Sequence, residues 1–77
     1  MDVKVLGTGC SSCQTLERRV RTVVDETEID ASVEKIEEMQ EIMQYNVMSM
    51  PALVINGEVK SSGHAPSVSE LKDLLAA

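Results

Sequence analysis

Apolar and polar positions repeat with a period of two, then of three to four, and the change from one to the other marks the elements. Val3-Lys4-Val5-Leu6 is a short β-branched run ending at Gly7-Thr8-Gly9, which predicts a strand entering a glycine-punctuated turn. From Cys13 onward, Leu16, Val20, Val23 and Val24 recur at the spacing of one helical face, with Glu17, Arg18, Arg19 and Arg21 on the other side. The end of this helix is poorly marked, because Asp25-Glu26-Thr27-Glu28 offers no glycine stop. Ala31 to Ile36 reads as a second short strand whose charges suit a sheet edge. Glu37 to Tyr45 places Met39, Ile42 and Met43 on one side of a short amphipathic helix, and Asn46 can supply the left-handed residue that ends it. Pro51 opens Ala52-Leu53-Val54-Ile55, and Asn56-Gly57 turns that strand into a hairpin returning through Glu58-Val59-Lys60. Beyond a loop over Ser61 to Pro66, Ser67 and Glu70 form a capping box for a last helix whose stripe is Val68, Leu71, Leu74 and Leu75. The predicted order is β-α-β-α-β-β-α, an α/β chain.

Composition narrows this picture. Seventy-seven residues make one small domain, expected to span 1–77, and 43% apolar with 26% charged residues is ordinary for a chain that folds. With no Phe, no Trp and one Tyr against five Met, the core is expected to be aliphatic and sulfur-rich, with Met39 and Met43 packed into it. A net charge of −6 repels phosphate backbones and acidic lipid surfaces, and no long apolar run occurs, so neither nucleic acid nor membrane is an expected partner. Met1 runs straight into the first strand without a basic-then-apolar leader, so a cytoplasmic location is expected.

The only cysteines, Cys10 and Cys13, are spaced C-x-x-C. A bridge closing so short a loop constrains the unfolded chain little, which makes a structural staple a weak explanation. Zinc needs four ligands, and two thiols with a distant His64 do not supply them within one chain. A soft-metal chaperone that holds Cu(I) through two thiolates is the sharper alternative. Chains of that kind usually carry Met two residues before the first cysteine and end on a strand, whereas this chain has Thr8 and ends on a capped helix. Redox chemistry explains the pair better. Cys10 sits where a turn becomes a helix, near unsatisfied N–H groups and the positive end of the helix dipole, which lowers a thiol pKa and favours the nucleophilic thiolate. Cys13 lies one turn on, on the buried stripe, and is expected to stay protonated until a mixed disulfide forms, then to resolve it.

Across Val3 to Leu75 the sequence resembles the small thioredoxin- and glutaredoxin-like redox-disulfide proteins of archaea and bacteria. The residues that carry the likeness are Val5 to Cys13, Tyr45 to Gly57 and Ser61-Ser62-Gly63. The resemblance implies a minimal thioredoxin fold: a four-stranded mixed sheet, its first two strands parallel, with helices on both faces. It implies a cis Met50-Pro51 bond, substrate binding by Met50 and Pro51, and Gly63 at the rim of the same site. Its function would be thiol-disulfide exchange on cytosolic protein substrates, cycling a Cys10–Cys13 disulfide with no bound cofactor or metal. Electrons would come from a flavoprotein of the thioredoxin-reductase type or another dithiol donor, and the protein would act as a monomer. A metal chaperone and a redox-sensing binding module stand as alternatives. The chain also departs from larger thioredoxins. Gly9 replaces the tryptophan before the pair, Ser11-Ser12 replaces Gly-Pro between the thiols, and Lys4 stands where an aspartate is usually buried. Thr8, Gly9, Ser11 and Ser12 are therefore candidate tuning residues. His64 reads as a loop histidine that could tune the thiols across the site.

Overall fold

In the computed structural model, which describes residues 1–76, the elements follow the order read from the sequence. They are β1 (Asp2–Leu6), α1 (Ser11–Thr27), β2 (Ser32–Ile36), α2 (Met39–Met43), β3 (Ala52–Ile55), β4 (Glu58–Ser62) and α3 (Val68–Ala76). The strands form one four-stranded sheet in the order β2-β1-β3-β4. β1 and β2 are parallel, while β1 with β3 and β3 with β4 are antiparallel. This is the expected minimal thioredoxin arrangement.

The two faces of the sheet follow from strand alternation. Val3 and Val5 of β1, with Leu53 and Ile55 of β3, point to one face and are packed by Leu16, Val20 and Val23 of α1 and Leu71 and Leu75 of α3. Leu6, Ala52 and Val54 point to the other, where Ile36 and Ile42 join them and Tyr45, Val47 and Met50 lie alongside. β3 is covered on both faces, so all four of its residues are buried and its sequence is an unbroken apolar run. β2 and β4 are the edges, and most of their residues are exposed, as the charges of β2 suggested.

Local signals account for most boundaries. Asn56 and Gly57 both adopt positive φ, 51° and 83°, the geometry of a two-residue hairpin turn. Asn56 also exchanges bonds with Asp2, its N–H donating to the Asp2 C=O at 2.7 Å and its Oδ1 accepting the Asp2 N–H at 2.9 Å. Ser67 Oγ accepts the Glu70 N–H at 3.2 Å, as a capping box requires. Asn46 takes φ 60° after α2, and α1 ends on Glu28 at φ 53° with no glycine. β4 runs through Ser61 and Ser62, residues the sequence assigned to a loop, because their ladder to Leu53 and Ala52 continues past an irregularity at Leu53/Val54.

The methionines are the main correction. Met39 is 47% exposed, Met43 64% and Met48 99%, so the core is aliphatic but not sulfur-rich. The cause is the length of α2, five residues instead of the nine expected. At about 100° per residue, Met39, Ile42 and Met43 span an arc of roughly 100°, and so short a helix seats only one edge of it on the sheet. Ile42 takes that edge and is 2% exposed. Ile42→Ala is therefore expected to cost roughly 2–5 kcal/mol in urea unfolding, and Met43→Ala no more than about 0.5 kcal/mol. Equal costs would contradict this packing.

Candidate active site

Strand pairing gathers four chain segments at one end of the sheet. Leu6, the last residue of β1, lies beside Ile36, the last of β2, and beside Ala52, the first of β3. Ala52 in turn pairs with Ser62, the last of β4. The loop carrying the cysteines, the residues after β2, the Met50-Pro51 segment and Gly63 therefore leave the sheet at the same end. Two backbone bonds tie them: the Gly7 N–H donates to the Ile36 C=O at 2.9 Å, and the Gly63 N–H donates to the Pro51 C=O at 3.0 Å.

Cys10 is the N-cap of α1, with extended backbone at φ −65° and ψ 164°. Its Sγ accepts the Cys13 N–H at 3.1 Å, and its C=O accepts the Gln14 N–H at 3.0 Å. A sulfur here takes the place of the usual capping oxygen. No acidic residue stands in the first turn of α1, so nothing on that turn opposes the positive end of the dipole. Cys10 is exposed, whereas Cys13 is 3% exposed on the same stripe as Leu16 and Val20. The two are joined in a disulfide with a Cα–Cα distance of 5.0 Å.

The other candidates divide between this end and its margins. Thr8, Ser11 and Ser12 are exposed around the pair, and Gly9 has φ +89°. The Met50-Pro51 bond is cis, Pro51 is buried, and Met50 packs against the cluster of Leu6 and Ile42. His64 is exposed and lines a groove of about 300 Å³ with Pro66 and Leu74, between β4 and α3. Lys4 is held on the α2 face, where Nζ donates to Tyr45 Oη at 3.3 Å and stands 3.9 Å from Asp2 Oδ2. The hydrogen bond to Tyr45 raises the Lys4 pKa above the ordinary lysine value, and the charges of Tyr45 and Asp2 add to it. Its ammonium is thus engaged toward the start of β1. Among the described residues no group of three or more His, Cys, Asp or Glu side chains is placed to hold a metal ion.

Two residues that motif reasoning passed over belong to this end. A Cβ on Gly7 would lie 2.5 Å from Cys13 Sγ and 2.7 Å from Cys13 Cβ, so only glycine lets β1 run this close under the disulfide. Glu37, the residue after β2, has Oε2 3.7 Å from where a Cβ on Gly9 would stand. Neither contact is visible in spacing, because both arise from packing between elements.

Comparison with known proteins agrees with this geometry. The family model described as "Thioredoxin domain" matches residues 1–76. A thioredoxin of Methanothermobacter thermautotrophicus is 41% identical over 76 residues, covering 99% of each chain. A thioredoxin of Methanocaldococcus jannaschii is 32% identical over 73 residues, covering 95% of this chain and 84% of its own. Among solved structures, the germline-specific thioredoxin Deadhead of Drosophila melanogaster superposes with a TM-score of 0.67 over 97% of this chain and 77% of its own, at 22% identity, a likeness of fold. With the match running the length of the described chain and a cysteine pair opening the first helix, this protein belongs to the thioredoxin family and is a thiol-disulfide oxidoreductase.

Proposed function

We propose that the protein reduces disulfides of protein substrates in the cytoplasm as a monomer, with Cys10 as nucleophile and Cys13 as resolving thiol. The observation that carries this reading is the asymmetry of the pair: Cys10 is exposed at a helix start with an N–H aimed at its sulfur, and Cys13 is 3% exposed. In the reduced protein the same N–H and the helix dipole favour a Cys10 thiolate. That thiolate attacks one sulfur of a substrate disulfide, forms a Cys10–substrate bond and expels the other substrate sulfur as thiolate. Cys13 then loses its proton and attacks Cys10 Sγ, closing the Cys10–Cys13 disulfide and expelling the second substrate thiolate. Two electrons pass from the dithiol to the substrate, and the two expelled sulfurs take up protons.

Met50, Pro51 and Gly63 form the substrate-binding rim in this reading. Its support is their position beside the cysteine loop through the Leu6 and Ala52 register and the Gly63 to Pro51 bond. Thr8, Gly9, Ser11 and Ser12 tune the thiols from around the pair, and His64 from beside Gly63. Electrons return from a flavoprotein of the thioredoxin-reductase type or another dithiol donor, with no cofactor bound in the domain. The test is reduction of a protein disulfide by dithiothreitol with the protein present in catalytic amount. Acceleration over many turnovers per chain is expected, and a rate equal to dithiothreitol alone would overturn the proposal.

A further inference from the structure

We propose that Glu37 is a specificity-determining residue at the rim of the active site, selecting substrate disulfides flanked by Lys or Arg; this rests on the exchange reaction assigned to Cys10 above. Three observations fix its carboxylate there. Glu37 directly follows Ile36, whose C=O accepts the Gly7 N–H, so the chain leaving β2 emerges against the loop that leads to Cys10. Gly9 immediately precedes Cys10, and the space a side chain would take on it opens 3.7 Å from Glu37 Oε2. Gly9 therefore presents only backbone where a side chain would have met the carboxylate. The Glu37 side chain is also 56% exposed, so an incoming chain can reach it.

Its neighbours leave that charge in place. Lys35 Nζ lies 3.7 Å from Glu37 Oε1, but it also lies 3.6 Å from Glu17 Oε1, and Arg21 pairs with Glu17 at 3.1 Å. These four side chains form a line of alternating sign from α1 to the active-site loop, and its outermost member, beside Gly9, is the negative one. The next acids along the chain, Glu38 and Glu41, are exposed as well and have the same sign. In the strand order β2-β1-β3-β4 the cysteine loop leaves β1 between this corner, after β2, and the Met50, Pro51 and Gly63 rim on the β3 and β4 side, so a substrate chain seated over Cys10 from that rim extends toward Glu37. A cation beside that disulfide is attracted, and an anion is repelled. Charges at a rim act mainly on the rate of encounter, and their effect fades as salt screens them.

The test uses the full reduced chain and three disulfides: two peptides differing only in Lys or Glu flanks, and uncharged bis(2-hydroxyethyl) disulfide as reference. Loss of protein thiols gives each rate, and the peptide rates are compared as a ratio so that any change in Cys10 nucleophilicity cancels. At low salt the Lys-flanked peptide is expected to react about tenfold faster than the Glu-flanked one, with the ratio shrinking as salt rises. Glu37→Gln is expected to lower that ratio about threefold, the effect of one charge acting through water over several ångströms. The same ratio in wild type and Glu37→Gln would overturn the proposal while leaving the exchange reaction standing. If the wild type failed to reduce the uncharged disulfide, the oxidoreductase reading itself would fall, and this one with it.

Discussion

Replacing Cys13 by Ser is expected to turn the protein from a catalyst into a trap. Cys10 stays exposed at the start of α1, with the position 13 N–H still aimed at its sulfur, so attack on a substrate disulfide proceeds. The second step cannot, because a buried serine hydroxyl does not displace a thiolate from a disulfide. Turnover should fall to the rate of the donor alone, and intact mass under non-reducing conditions should show one substrate moiety per chain, released by dithiothreitol. Cys10→Ser should lose turnover to the same extent and form no adduct, since the remaining thiol is 3% exposed. Unchanged turnover in Cys13→Ser, or an adduct carried by Cys13, would reverse the assigned roles.

Gly7→Ala should damage both stability and resolution, from one methyl group. Its Cβ would meet Cys13 Sγ at 2.5 Å and Cys13 Cβ at 2.7 Å, closer than carbon and sulfur can approach. Cys13 has little room to yield, because it belongs to the helix stripe that packs Leu16 and Val20 onto the sheet. Gly7 is equally fixed through its N–H on Ile36. Overpacking of this kind typically costs about 1–3 kcal/mol. In a domain of this size that corresponds to a fall in melting temperature of roughly 5–20 °C. A displaced Cys13 also meets the mixed disulfide at the wrong angle, so the second step slows, which single-turnover mixing resolves as accumulation of the Cys10 adduct. Gly57→Ala is the control: it strains a positive φ of 83° in open space, so it should lose stability without accumulating adduct. Wild-type melting and resolution in Gly7→Ala would show that the close approach beneath Cys13 has no consequence.

Much of the local structure, including the helix start that carries the cysteine pair, was legible because its signals are short. The C-x-x-C at a helix start, the Asn56-Gly57 turn and the Ser67 and Glu70 box are each defined within a few residues, and each is found in the structure, whereas Asn46 takes its left-handed φ three residues past the end of α2 rather than capping it. The methionines show where such reasoning stops. A stripe over Met39, Ile42 and Met43 states which side of a helix is apolar, but not how much of it a neighbour covers. Lys4 is a similar case: nothing near it in the chain indicates that Tyr45, the one aromatic residue, would accept its hydrogen bond across the α2 face.

The sequence by itself therefore determined the succession of elements and the placing of a cysteine pair at a helix start, because periodicity, turn residues and the start of a helix are local properties of the backbone. Only the tertiary structure decided what stands next to the cysteines. Parallel pairing of β1 with β2 and antiparallel pairing of β1 with β3 bring Ile36 and Ala52 to Leu6 from distant parts of the chain. Glu37 beside Gly9 follows from the first of these pairings, Gly63 bonded to Pro51 from the pairing of β3 with β4, and Gly7 beneath Cys13 from the seating of α1 on the end of β1. Register is set by how two faces of a sheet are buried at once, a condition on all the elements together that no single stretch of residues can express.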